Sequence, residues 1–276
     1  MMQPKAKTSV IALDLDGTLT NSQKEVSPRT RQALLKAEAQ GAVLVLASGR
    51  PTYGIEPVAE CLDMKNLGGY ILSYNGGKIV DCKTNQEIYS KHLPDEVIPI
   101  IYQYAREHNY ALLGYAGNDI VTEIPDDEYV IEESRINKMH IRGVDHLLES
   151  IEPHPTKLLM TGHPDLMVKA EAELAAMLES KMEVFRSAPF FIELVPKGID
   201  KAQSLMRLLD LLHLSPKELI AFGDGYNDLS MIRLAAQGVA MANAAPEVRA
   251  EADFVTASND EDGVALYLEQ RANSSC

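Results

Sequence analysis

The feature that most constrains this chain is a set of apolar runs that scarcely alternate with polar residues. They are Val10-Ile-Ala-Leu13, Ala42-Val-Leu-Val-Leu-Ala47, Tyr70-Ile-Leu-Ser-Tyr74 and Leu219-Ile-Ala-Phe222. A strand with one wet face alternates; a run without alternation belongs to a strand covered on both faces. Helical segments separate the first three runs. Ser27-Pro28 offers an N-cap followed by proline at the first helical position, and Gly41 stops a helix running to about Gln40. Strand, helix, strand, helix, strand predicts a doubly wound, mostly parallel α/β (Rossmann-like) sheet. Ligands of such sheets sit at the carboxyl ends of the strands. The runs end there in Asp14-Leu-Asp16-Gly17, Ser48-Gly49-Arg50, Asn75-Gly76-Gly77 and Gly223-Asp224-Gly225-Tyr-Asn227-Asp228.

Between the third and fourth runs the pattern changes. Two short strands flank a polar turn at Lys83-Thr84-Asn85, and a helix from about Asp95 to Glu107 places Val97, Ile100, Ile101 and Tyr104 at helical spacing. Paired strands follow near Tyr110–Tyr115 and Ile120–Ile124, then an acidic helix at Asp126–Ser134 that reads as a solvated face. A strand at Lys157–Thr161, a helix at Asp165–Leu178 and a hairpin from Glu183–Arg186 and Phe190–Val195 complete an α+β insert. The reading therefore divides the chain into a core of residues 1–84 and 196–276 and an inserted cap of residues 85–195. The core pattern resumes with an amphipathic helix at Ala202–Leu212, a capping box at Ser215-Pro-Lys-Glu218 and the fourth run. A helix through Met231–Ala236, a strand at Gly238–Met241, a short helix after Pro246 and a strand at Asp253–Thr256 follow.

Charge narrows the function. With 26 Lys and Arg against 40 Asp and Glu, the formal net charge is −14. That balance argues against a nucleic-acid surface, which needs a basic stripe. It leaves room for a small anionic substrate, because a metal or a few cations reverse the field inside one cleft. The three cysteines, Cys61, Cys82 and Cys276, form no C-x-x-C pair, and no Cys/His cluster has zinc-ligand spacing. No stretch approaches a membrane span or a signal-peptide core, so the expectation is a cytoplasmic protein without a membrane partner.

Asp14 and Asp16 carry the chemistry of the opening stretch. If the strand persisted through them, both carboxylates would share one face. Two like charges at a buried strand end repel and are costly to desolvate; a divalent cation with oxygen ligands, such as Mg²⁺, relieves both problems. Phosphoryl transfer needs a cation, an in-line nucleophile and donors for the equatorial oxygens, and the polar clusters on this sheet edge supply those residue types together.

In combination, Asp14-Leu-Asp16-Gly-Thr18, Ser48-Gly49-Arg50, a downstream lysine and Gly223-Asp224-Gly225-x-Asn227-Asp228 resemble the four motifs of the haloacid-dehalogenase-like (HAD) superfamily. Their order and the placement of the insert resemble its Cof-type sugar-phosphatase branch. The resemblance implies that Asp14 is a nucleophile forming an aspartyl-phosphate and that Asp16 is the general acid and base, with a pKa above that of its neighbour. It implies Mg²⁺ held by the Asp14 carboxylate, the Asp16 backbone carbonyl and Asp224, with Asp228 close by. It assigns the phosphate to the Ser48 hydroxyl, the amides of Gly49 and Leu15, Lys201 and Asn227.

Two lysines lie in Val195-Pro-Lys197-Gly-Ile-Asp-Lys201. The family's lysine opens a helix after a Pro/Gly turn, which favours Lys201; the family usually continues with glycine, whereas Ala202 follows here. Leaving-group choice falls to the insert acting as a lid, with Arg50, Asn75, Arg186 and His163 as candidate specificity residues. The resulting expectation is a Mg²⁺-dependent phosphatase of small phosphorylated metabolites such as sugar phosphates. The alternatives are a phosphomutase of the same superfamily and a phospho-aspartate signalling module.

Overall fold

The computed structural model describes residues 9–274. The chain opens with β1 (Val10–Leu13), β2 (Val43–Ala47), β3 (Tyr70–Ser73), β4 (Lys78–Asp81) and β5 (Gln86–Ser90). Next come β6 (Ala111–Ala116), β7 (Asp119–Thr122), β8 (His140–Gly143), β9 (Leu158–Thr161), β10 (Met182–Ala188) and β11 (Phe191–Pro196). It closes with β12 (Leu219–Gly223), β13 (Gln237–Ala240) and β14 (Phe254–Val255). Two sheets result, one of eight strands in the order β14-β13-β12-β1-β2-β3-β4-β5 and one of six in the order β10-β11-β9-β6-β7-β8.

In the larger sheet β1 pairs in parallel with both β2 and β12; β3 pairs in parallel with β2 and antiparallel with β4. The unalternated runs now have their reason. Ile11, Leu13, Leu44, Leu46, Ile220 and Phe222 pack on one face, with Leu34, Ile55 and Val264 from covering helices. Val10, Ala12, Val45, Ala47 and Ala221 pack on the other, against Leu205, Leu208 and Met231. At about 1.5–3 kcal/mol per buried large side chain, both faces are committed, and only the strand ends remain for polar work. The helix Pro28–Ala39 begins as its sequence dictates, with the Ser27 side chain accepting from the Thr30 amide.

The chain divides into two compact units, one of residues up to Tyr89 and from Asp200, the other Ser90–Ile199. The strand β5, expected in the insert, instead lies on the edge of the larger sheet. Asp81 Oδ1 accepts from the amides of Lys83 and Thr84, turning the chain back, and Lys78 pairs with Glu87 at 2.8 Å. The residues of β5 are exposed or half-buried, as on an edge strand, and such a strand reads in sequence like any strand of a half-exposed sheet.

The second unit packs the helices Ile98–His108 and Pro164–Leu178 on one face of the six-stranded sheet, around Ile101, Leu112, Met160, Leu174 and Ile192. Ile100, expected in that core, is 38% exposed; Ile98 and Ala105 take the inward positions beside Ile101. The acidic helix Glu128–Asn137 is not a purely solvated face. Glu133 is buried and accepts from the Tyr115 hydroxyl at 2.7 Å, near a Lys157–Glu193 ion pair of 2.8 Å. No helix among the described residues is long and apolar enough to cross a membrane.

Candidate active site

Every strand end that the apolar runs point to contributes to one polar cluster in the first unit. β1 stops at Leu13, one residue before the first aspartate. The Asp14 amide still donates to Phe222 O at 3.0 Å, but the chain then turns, with the amides of Thr18 and Thr20 both donating to Leu15 O. Asp14 and Asp16 are therefore not a strand-face pair. Asp14 points to a buried lysine; Asp16 points to an arginine.

That lysine is Lys201, 1% exposed at the start of the helix Lys201–Leu211, which Asp200 caps. Its Nζ donates to Asp14 Oδ1 and Asp228 Oδ1, each at 2.6 Å. Lys197, the other candidate, is exposed and belongs to the second unit. Asp228 is 1% exposed and serves its own loop: Oδ2 accepts from the amides of Asp224 and Gly225 at 3.0 and 2.9 Å. Both of its oxygens are thus engaged by protein donors. Asp224 uses Oδ1 to accept from the Thr18 hydroxyl at 2.7 Å.

Ser48 follows β2 and is 2% exposed; its Oγ accepts from the Arg50 amide and keeps its O–H to donate. The amide of Leu15 has no acceptor among the described residues. Asn227 Nδ2 donates to Asn75 Oδ1 at 3.0 Å.

Carboxylate oxygens of Asp14, Asp224 and Asp228 lie within 4.8 Å of one another. Three carboxylates thus face the single ammonium of Lys201. Burial first, then Asp228, push the Asp14 carboxyl well above its ordinary range, against the pull of Lys201. Burial and Asp228 likewise raise Asp224. Lys201 stays charged: burial opposes the ammonium, but Asp14 and Asp228 hold its pKa above the usual lysine value. Such a site binds protons more readily than its residues do in water, which is the signature of uncompensated negative charge. Hard oxygen donors in that state suit a hard divalent cation.

Asp16 shows the opposite balance. Burial would raise its pKa, but Arg50 and Lys24 pull it below the ordinary carboxylate value. Arg50 grips it with a fork, Nε to Oδ2 at 2.7 Å and Nη2 to Oδ1 at 2.5 Å, and Lys24 adds a 2.7 Å contact. The expected order, Asp16 above Asp14, is reversed in the protein alone. At Asp16 the cost of burial is outweighed by the fork of Arg50, a residue expected to serve substrate choice.

The model of the haloacid dehalogenase-like hydrolase family matches residues 11–268. The chain belongs to this family. A 5-amino-6-(5-phospho-D-ribitylamino)uracil phosphatase of Bacillus subtilis, YcsE, is 30% identical over 259 residues, covering 94% of each chain. A haloacid dehalogenase-like hydrolase from Bacteroides thetaiotaomicron has a solved structure with 50% identity and a TM-score of 0.94, over 96% of this chain and 100% of that one. The subclass IIB sugar phosphatase BT4131 superposes with a TM-score of 0.81 at 26% identity, over 96% of this chain and 99% of that one.

Within this hydrolase the other expected specificity residues have local partners. Arg186 pairs with Glu171 at 2.6 Å, and His163 Nδ1 accepts from Asp165 N at the start of the helix Pro164–Leu178. The turn expected at Gly17 is present, at φ 86°; not legible beforehand were Lys24, the Thr18–Asp224 bond and the packing at Gly17, whose added Cβ would stand 2.3 Å from Asp224 Oδ2. The only signal was the adjacency of Gly17 and Thr18 to the aspartates.

Proposed function

We propose that the chain is a phosphatase of small phosphorylated metabolites, sugar phosphates or similar monoesters, acting through an aspartyl-phosphate on Asp14. The observation that carries this reading is the buried Asp14–Lys201–Asp228 relay beside Asp224. It holds one carboxylate fixed at a strand end, as an in-line nucleophile requires, in a site whose excess negative charge calls for a cation before a phosphate dianion can approach. The names of the relatives support the substrate class, since one is a phosphatase of a phosphorylated ribityl compound and another a sugar phosphatase.

Asp14 and Asp224, with the Asp16 backbone carbonyl, would hold Mg²⁺, while Asp228 stands beside them bound to Lys201 and two amides. When bound, the cation supplies charge neutralisation between an anionic nucleophile and an anionic phosphate. Lys201 fixes the rotation of the Asp14 carboxylate through Oδ1. Asp14 attacks phosphorus as the alkoxide departs; the Ser48 hydroxyl, the amides of Gly49 and Leu15, and Asn227 donate to the transferring oxygens. Asp16 protonates the alkoxide, then takes a proton from the water that attacks the acyl phosphate. The grip of Arg50 and Lys24 favours its carboxylate form, which suits the second step; in the first, Asp16 turns from that grip to carry a proton to the leaving group.

The inserted unit, residues 90–199, sets leaving-group choice as a cap. The free thiols of Cys61 and Cys82 suit a reducing cytoplasm. Phosphate release from p-nitrophenyl phosphate with Mg²⁺ tests the reading: wild type turns over, while Asp14→Asn and wild type in excess chelator do not. Undiminished release by Asp14→Asn would refute it.

A further inference from the structure

We infer that Asn75 is a positioning residue for the reaction, setting the orientation of the Asn227 amide and so aiming a phosphate donor. The inference rests on the phosphatase reading above.

The turn after β3 runs through the left-handed region for three residues in a row. Tyr74, Asn75 and Gly76 follow one another with φ of 54°, 56° and 93°. Left-handed conformations are costly for L-residues, and Asn tolerates them better than most. The turn is held from several sides. The Tyr74 amide donates to Arg50 O at 3.0 Å and the Asn75 amide to Ser48 O at 2.8 Å, fastening it to the Ser48–Arg50 loop. Gly76 O accepts from Ser204 Oγ at 2.5 Å, fastening it to the helix that begins with Lys201. Strain where two loops and a helix of a site meet has to be maintained by some gain there.

The Asn75 side chain points to the gain. Its amide lies so close to Gly49 that a Cβ at that position would stand 3.2 Å from Nδ2 and 3.3 Å from Oδ1. Its Oδ1 accepts from Asn227 Nδ2 at 3.0 Å. The opposite end of the Asn227 amide occupies space that only glycine leaves open: a Cβ on Gly225 would lie 2.6 Å from Asn227 Oδ1. The Asn227 amide is therefore held through its nitrogen on Asn75, with its oxygen in the space that Gly225 leaves open. A primary amide has two N–H donors, and Asn75 takes one. The second has no acceptor among the described residues. Without Asn75 the amide could flip and present oxygen to a phosphate, turning an attraction into a repulsion.

The test is a double-mutant cycle of Asn75→Gly and Asn227→Ala in the full chain with Mg²⁺. It reads kcat/KM for p-nitrophenyl phosphate, the inhibition constant of inorganic phosphate, and Tm. Glycine is chosen because it keeps the left-handed turn while deleting the side chain. Asn227→Ala is expected to weaken kcat/KM and phosphate inhibition about tenfold, the scale of one hydrogen bond to a charged group. Asn75→Gly should reproduce that loss, mostly in KM, and add nothing in the Asn227→Ala background. Gly225→Ala, which disturbs the same amide from its other end, provides a second approach should Asn75→Gly fail to fold. A wild-type-like Asn75→Gly enzyme, or a full further loss in the Asn227→Ala background, would overturn the inference. Failure of the wild type to release phosphate would instead overturn the phosphatase reading, and calorimetric titration of the same variants with phosphate would still measure the coupling.

Discussion

At Gly17 the backbone runs at φ 86° and an added Cβ would fall 2.3 Å from Asp224 Oδ2, so conformation and contact both demand glycine. Asp224 cannot yield freely, because Thr18 holds its other oxygen. Gly17→Ala is therefore expected to lower Tm and to raise the Mg²⁺ concentration for half-maximal phosphate release about tenfold or more, the scale of a positive-φ penalty plus a displaced ligand. An unchanged Mg²⁺ titration would show that Asp224 is not where the cation is held. Asp14, Ser48 and Asp224 could be singled out because each stands where an apolar run ends, and Lys201 because it opens a helix after a Pro/Gly turn. Their pairings could not. Arg50 could have reached outward to a substrate or back to Asp16, and only the fold of the loops beyond the sheet decides between them.

Buried elements announce themselves by composition, whereas edges and partly covered elements do not. The runs that became β1, β2, β3 and β12 needed nothing but their lack of alternation. β8, at His140-Ile-Arg-Gly143, is polar and short at a sheet edge, and it was missed. The helix Gly263–Ser274 was missed too, although the Ser258–Glu261 capping box precedes it and Val264 and Leu268 bury against Leu34. The helix Pro28–Ala39 carries a local fault. Glu38 sits in its last turn, where the helix dipole disfavours an anion, and its Oε2 is buried without a partner. Burial first, then Asp63, push its carboxyl up to about 7. A raised carboxyl pKa makes the folded state bind a proton that the unfolded state has released. Its stabilising effect is full below the unfolded value and is lost as pH rises through about 7. Glu38→Gln should therefore melt above wild type at pH 8, by a margin that shrinks on acidification and vanishes near the ordinary glutamate pKa of about 4.3. Thermal melts across pH check this; a margin independent of pH would remove the titration from the explanation.

Over the whole molecule the formal charge of −14 and the excess of carboxylates at the strand ends work in one direction. A divalent cation that binds the folded chain and not the unfolded one stabilises it by about 2.7 kcal/mol at a hundredfold excess over its Kd. Mg²⁺ is accordingly expected to raise Tm of the wild type and to leave Asp224→Asn nearly unmoved, an outcome that calorimetry reads without any substrate. Equal shifts in both would place the cation elsewhere. The division of labour between Asp14 and Asp16 is the central claim, and one measurement addresses it directly. Asp16→Asn, given a radiolabelled aryl phosphate whose leaving group needs no proton, should form the acyl phosphate but lack the base that hydrolyses it. Acid quench and peptide mapping are predicted to find the label on Asp14, labile to hydroxylamine and absent when Asp14 is also changed to Asn. Label on another residue, or turnover by Asp16→Asn at the wild-type rate with no trapped phosphoryl group, would contradict the account.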